Sequence, residues 1–215
     1  MVGEGALMGV ALGLGLGARH ALEPDHLAAV SVLAAHRPGA RRGLLLGAMW
    51  GLGHTLSLLA CGIAVAIVAG RMPQALADLF ELLVAAMLLA LGGRAVFRAR
   101  PGLTARADVQ PHVARRVRAI RPMIVGAVHG LAGSGALVAL ATAALPTVAA
   151  RLAFIALFGV GSIAAMSAIS GLAGWPLARV ARRPAAARVL LAIAGTTSVV
   201  LGLVWAWMPV HRLLR

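Results

Sequence analysis

The chain alternates long apolar stretches with short connections that carry arginine, and this alternation limits the folds open to it. Of its 215 residues 61% are hydrophobic, whereas a soluble domain has about 45–50%. Six stretches reach the roughly 20 residues that a helix needs to cross a bilayer. Their approximate ranges are 6–35, 43–70, 75–97, 122–145, 150–178 and 187–208. The sequence therefore predicts an all-α, polytopic membrane protein with six transmembrane helices.

The net charge of +14 would suggest a nucleic-acid partner in a soluble protein, but here the arginines lie between apolar stretches. Most of them fall in three connections, 36–42, 98–121 and 179–188. The positive-inside rule places such loops in the cytoplasm. We therefore expect a multi-pass protein of the bacterial cytoplasmic (inner) membrane, with the lipid bilayer and no nucleic acid as partner. The lone Cys61 excludes a disulfide framework or a CxxC site.

The two halves of the chain resemble each other. Gly17-Ala-Arg-His20-Ala-Leu22 aligns with Gly126-Ala-Val-His129-Gly-Leu131 at an offset of 109. A unit of three spans that is repeated once must be inverted in the membrane, as in many secondary transporters. The sequence thus predicts two inverted three-helix repeats, residues 1–97 and 122–215, joined by a basic cytoplasmic loop, residues 98–121.

The first apolar stretch contains His20-Ala-Leu-Glu-Pro-Asp25-His26, which has two imidazoles and two carboxylates within seven residues. Each charged group at the centre of a bilayer costs about 2.5–3.5 kcal/mol on insertion scales, and such groups usually meet an ion, a proton or a substrate. Pro24 has no N–H to bond the carbonyl of His20. We therefore expect the first helix to be broken at Pro24, so that His20, Asp25 and His26 converge. The alternative is a polar kink whose groups satisfy one another.

Further polar residues lie near this motif in the predicted fold. His54 follows Gly51 and Gly53 on the second span and can complete a ligand set, or can simply bond a neighbouring carbonyl. His129 is the counterpart of His20 in the second half. The candidate residues of the ion pathway, or neighbours of the ligands, are Glu23, His129, Ser134, Arg19 and Glu81. For Glu81 the alternative is the solvated start of a helix, where acidic groups favour the helix dipole.

The His20-x4-Asp25-His26 motif, with Gly51-Leu-Gly53-His54-Thr55 on the next span, resembles the signature of the nickel/cobalt transporter family. The resemblance implies that His20, Asp25, His26 and His54 recognise the metal. Gly130-Leu-Ala-Gly-Ser134-Gly135 is similar to a shorter, six-span branch described as urease-accessory or sulfite-exporter-like membrane proteins. The chain lacks the eight spans and the third acidic motif of the better-known members.

The residues and the resemblance together predict a secondary transporter that takes up Ni²⁺ or Co²⁺ through a His/Asp intramembrane site. The metal is then the transported substrate, and no tightly bound cofactor is expected. One alternative is efflux of a metal or of a small anion, and only the anion version has support from Arg19. Another is a non-transporting accessory protein for nickel-enzyme maturation. The sequence has no nucleotide-binding loop and shows no nucleophile or acid–base pair, so we expect that the protein is not an enzyme.

Overall fold

The structure, a computed structural model, describes residues 2–35, 39–68, 72–100, 120–132, 145, 147–180 and 182–214. Within these ranges the chain is helical apart from short turns. The helices are α1 Val2–His20, α2 Pro24–Ala35, α3 Ala40–Val68, α4 Gln74–Arg98, α5 Ile120–Ala132, α6 Val148–Val180 and α7 Pro184–Leu213. Four of them, α3, α4, α6 and α7, are long and apolar enough to cross a bilayer. The predicted all-α membrane protein is confirmed at this level. Most of the 98–121 loop and all of 133–144, including Ser134, lie outside the described residues.

The first apolar stretch is interrupted where the proline predicted it. Helix α1 ends at His20, three residues form a turn, and α2 begins at Pro24. The N–H of Glu23 donates to the carbonyl of His20 at 3.0 Å, which replaces the bond that Pro24 cannot make. Pro24 itself stands at the first position of α2, where a missing N–H costs nothing. The interruption therefore lies directly before Pro24 and leaves His20 and Asp25 at two helix ends.

Small residues set how closely the long helices approach. Along α3, Gly43, Gly47 and Gly51 recur one turn apart, and a Cβ at each would collide with the backbone of α6. Gly43 lies nearest Ser170, Gly47 nearest Met166 and Gly51 nearest Ile163. Residue numbers rise along α3 as they fall along α6, so the two helices run antiparallel. Helices α4 and α7 form a second antiparallel pair, in which the hydroxyl of Ser198 donates to the carbonyl of Leu88 at 2.9 Å. Such close packing is typical of helix interfaces in membranes.

Several glycine contacts occur in reciprocal pairs. Gly17 of α1 lies against the backbone of Phe158 in α6, and Gly126 of α5 lies against the backbone of Trp50 in α3. Gly17 and Gly126 differ by 109 in number, and Trp50 and Phe158 differ by 108. Replacing each residue by its counterpart likewise turns the contact of Gly53 with Met123 into that of Gly161 with Leu14. It also turns the contact of Gly92 with Val199 into that of Gly202 with Leu89. Contacts between the halves thus recur when each residue is replaced by its counterpart.

Most of the arginine-bearing ends of the described helices lie at one end of the bundle. The N–H of Gly39 donates to the carbonyl of Gly174 at 2.9 Å, so the start of α3 lies beside the end of α6. A short turn leads from α6 to α7, and the antiparallel α4 ends beside the start of α7. The arginines gathered there include Arg41, Arg42, Arg98, Arg179, Arg182 and Arg183. The opposite end carries the start of α4 and the end of α7.

Candidate metal centre

Three imidazoles converge where the first stretch is interrupted. His20 is the last residue of α1, His26 lies in the first turn of α2, and His54 is the middle residue of the 29 in α3. The Nε2 atoms of His20 and His54 are 3.2 Å apart, and the ring centroid of His26 is 4.4 Å from that of His20 and 5.2 Å from that of His54. One ring nitrogen of each lies within 4.8 Å of the others. Three of the four residues expected to recognise the metal thus come together.

Asp25, the fourth expected metal residue, contacts different partners. One carboxylate oxygen lies 3.2 Å from Nδ1 of His26, and the other lies 2.8 Å from Nε2 of His129. Asp25, His26 and His129 form a second group of possible ligand atoms within 4.8 Å of one another. The two groups share His26, so His20, Asp25, His26, His54 and His129 form one continuous cluster. His129, which aligns with His20 in the second half of the sequence, therefore lies in the cluster.

The cluster is almost closed to solvent, and some of its nitrogens have no partner. His26, His54 and His129 are at most 2% exposed, and Asp25 is 4% exposed. Nε2 of His26, Nδ1 of His54 and Nδ1 of His129 are buried without a hydrogen bond. Buried polar atoms nearly always have a partner, and an exception needs an explanation such as a bound ion. Unpartnered imidazole nitrogens are suitable ligands for a transition-metal ion.

Aligned positions of the two halves supply the side chains in and around the cluster, but these side chains differ in type. His20 packs on Phe158 with ring centroids 5.1 Å apart, and its counterpart His129 packs on Trp50 at 5.6 Å. The counterpart of His54 is Ser162, whose hydroxyl donates to the carbonyl of Gly17 at 3.0 Å. That serine joins α6 to α1 and adds no imidazole. The imidazoles of the cluster are therefore distributed unequally between the two halves of the chain.

A cavity of about 430 Å³, which we call the vestibule, extends from the cluster. Its lining residues are His20, Glu23, Asp25, His26, Glu81, His129, Ala132, Val204, Trp205, Met208 and Arg212. Three of these carry a carboxylate and one carries a guanidinium. An ionised lining of this kind is net negative, which favours a cation over an anion.

Arg212 holds the far side of the vestibule. Its guanidinium donates to Asp78 at 2.6 and 2.9 Å and to Glu81 at 3.0 Å, and so ties α7 to α4. The sequence indicated Glu81 as a candidate residue of the ion pathway, but Arg212 was not among the candidates. The available signal was an arginine just after the final predicted span, at the same end of the bundle as Asp78 and Glu81. Arg19 is exposed. The Glu23 carboxylate lies 3.0 Å from Nδ1 of His20.

Comparison with known proteins gives one informative relative. The urease accessory protein UreH of Bacillus sp. (strain TB-90) is 30% identical over 199 residues, which cover 89% of this chain and 87% of that protein. Neither a protein-family model nor a solved structure matches the chain significantly. The chain therefore belongs to the nickel/cobalt transporter-like family of membrane proteins, in the branch that contains urease accessory protein UreH.

Proposed function

We propose that the protein is a secondary transporter that carries a divalent transition-metal ion, Ni²⁺ or Co²⁺, into the cell. The observation that carries the proposal is the convergence of buried imidazoles and Asp25 halfway along the membrane-crossing α3. Imidazole binds nickel and cobalt well, and also zinc and copper. The relationship to a urease accessory protein favours nickel within this group, because urease is a nickel enzyme. His20, Asp25, His26 and His54 are the proposed metal site, with Glu23, His129, Ser134, Arg19 and Glu81 along or near the path.

The proposed architecture is six spans arranged as two inverted repeats, residues 1–97 and 122–215. The reciprocal glycine contacts and the antiparallel pairing of α3 with α6 and of α4 with α7 support this arrangement. Secondary transporters built in this way bind substrate near the bilayer midplane, where the repeats meet. The gathering of arginines at one end supports a cytoplasmic position for that end. The vestibule would then face the outside.

The membrane potential is a sufficient driving force in principle. A doubly charged ion gains about 4.6 kcal/mol per 100 mV, twice the value for one elementary charge. The protein would therefore need no ATP to concentrate the metal. The predominance of carboxylates in the vestibule favours a cation over the small anion of the alternative reading.

The proposal is tested by uptake of radiolabelled nickel into proteoliposomes with an imposed potential, negative inside. We compare the wild type with His20→Ala and Asp25→Asn, and use His211→Ala as control because that exposed side chain lies near the end of α7. Both site variants should lose uptake by at least about tenfold, the lower end of what neighbours of a metal ligand contribute. The control should retain uptake.

The same experiment separates the alternatives. Absence of metal-dependent flux in the wild type would overturn the transporter proposal. Nickel that binds to the purified protein without flux would instead support a membrane accessory that passes metal to urease maturation, the function suggested by the name of the relative.

A further inference from the structure

Two carboxylates of the motif each contact the Nδ1 atom of an imidazole. Oε2 of Glu23 lies 3.0 Å from Nδ1 of His20, and Oδ1 of Asp25 lies 3.2 Å from Nδ1 of His26. An ionised carboxylate can only accept a hydrogen bond, so each Nδ1 must carry the hydrogen. In a neutral imidazole the opposite nitrogen then has a free lone pair. Both contacts thus leave Nε2 of the histidine available as a ligand.

His20, His26 and His54 can each offer one ring nitrogen within 4.8 Å of the others. Nε2 of His20 lies 3.2 Å from Nε2 of His54, and Nε2 of His26 is buried without a partner. Metal–imidazole bonds of about 2.0–2.1 Å place neighbouring ligand nitrogens about 2.8–3.0 Å apart in octahedral geometry and about 3.3–3.4 Å apart in tetrahedral geometry, so the two geometries span about 2.8–3.4 Å. The observed separation of His20 and His54 falls within that range.

Each carboxylate oxygen of Asp25 accepts a hydrogen bond from an imidazole. While Oδ1 accepts from His26, Oδ2 accepts from Nε2 of His129 at 2.8 Å. Its oxygens group with His26 and His129, whereas the group of His20, His26 and His54, which shares His26, does not include Asp25. A carboxylate that accepts the second N–H of a metal-binding imidazole fixes the tautomer and raises the basicity of the ligand.

Resting on the proposed function for the identity of the ion, we propose that Nε2 of His20, His26 and His54 bind the metal and that Asp25 and Glu23 are positioning residues. Asp25 orients His26, and Glu23 orients His20. The ligands that the protein supplies are then three neutral imidazoles with no carboxylate. Such a set selects Ni²⁺, Co²⁺, Zn²⁺ or Cu²⁺ and discriminates against Mg²⁺, Ca²⁺ and Mn²⁺, which take oxygen ligands.

The tautomers can be measured directly in the metal-free, full-length protein in detergent. Nitrogen-15 NMR of labelled histidine distinguishes the two tautomers, and single histidine variants assign the signals. We expect the Nδ1–H form for His20 and His26. Asp25→Asn should change the tautomer ratio of His26, while Asp78→Asn should not. Asp78 is a matched control, since it is also 4% exposed but is bound by Arg212. An Nε2–H tautomer for His26 in the wild type would overturn the proposal.

A second measurement separates a positioning role from a ligand role. Asp25→Asn should keep three imidazoles on Ni²⁺ in X-ray absorption spectra and lower Ni²⁺ affinity about 10–100-fold, as for other orienting partners. His26→Ala should remove one imidazole. An Asp25→Asn protein that loses an oxygen ligand of the ion, or that binds Ni²⁺ as tightly as the wild type, would contradict the proposed role.

These measurements do not need transport, so the two proposals can fail separately. Binding through three imidazoles without nickel flux would overturn transport and leave the positioning roles intact. Flux with Asp25 among the ligands would do the reverse. A wild-type protein that binds neither Ni²⁺ nor Co²⁺ would overturn both.

Discussion

The four clustered histidines differ in what holds each ring in place. His20 has Glu23, and His26 and His129 share Asp25. His54 is fully buried, yet its Nδ1 has no partner. Its ring is held by contacts with the other imidazoles. His54 thus has imidazole neighbours but no carboxylate partner, which makes it the most direct test of the metal site.

We predict that His54→Ala lowers Ni²⁺ affinity by at least about 100-fold, because a lost ligand should cost at least as much as the upper limit for an orienting partner. Calorimetric titration of the purified protein measures the change. The fold should survive, since Gly130 packs partly on the backbone of residue 54. His211→Ala, which removes an exposed ring stacked on Trp207, is the control and should bind normally. Equal affinities for the two variants would exclude His54 from the site.

At the scale of helices, close approach depends on single glycines rather than on general apolar character. Helix α4 contains two adjacent glycines with different surroundings. A Cβ at Gly92 would meet the carbonyl of Gly195 in α7 at 2.5 Å, whereas a Cβ at Gly93 would meet nothing within 4 Å. The same substitution at neighbouring positions therefore separates helix packing from helix propensity.

Gly92→Ala should destabilise the protein by about 1–3 kcal/mol, the usual cost of forcing extra atoms into a packed interface. Gly93→Ala should be neutral or stabilising by up to about 1 kcal/mol, because alanine favours a helix interior over glycine. Thermal unfolding in detergent compares the two. A Gly92→Ala protein as stable as Gly93→Ala would mean that α4 and α7 do not approach as closely as described.

In the whole molecule, the vestibule extends toward the end of the bundle opposite the one that carries most of the arginines. Most of the arginines at described helix ends lie at one end of the bundle, while Arg212 and its acidic partners lie toward the other. The vestibule extends from the cluster to Arg212. Under the proposed orientation, the cluster therefore communicates with the outside and is closed toward the arginine-rich end by the packing of α3 on α6.

Cysteine labelling tests this orientation. In a Cys61→Ser background, we expect Arg182→Cys, in the turn between α6 and α7, to react with a membrane-impermeant reagent only from the cytoplasmic side. Leu214→Cys, beyond the end of α7 and 83% exposed, should react only from outside. Labelling of both positions from one side would contradict an odd number of crossings between them, and a reversed pattern would reverse the orientation.

The sequence predicted local features well, because their causes are local. Pro24 removes a donor from the backbone wherever it stands, so the break could be placed within a few residues. The pairing of Asp25 with His129 and that of Glu81 with Arg212 join residues more than 100 positions apart. No periodicity encodes such pairs, since they depend on which helix faces which. Arg19 lies directly before the motif in the sequence, and its side chain is exposed.

The interruption at residues 21–23 also has a mechanical consequence. Helix α1 packs mainly on α6, whereas α2 packs mainly on α7. His20 and His26 therefore belong to differently anchored segments, and an ion held by both cross-links them. A ligand stabilises the conformation that it binds best, so a bound ion would act as a removable clamp between the two segments. Binding of the ion would then also fix α1 relative to α2, and release of the ion would let the two helices move independently.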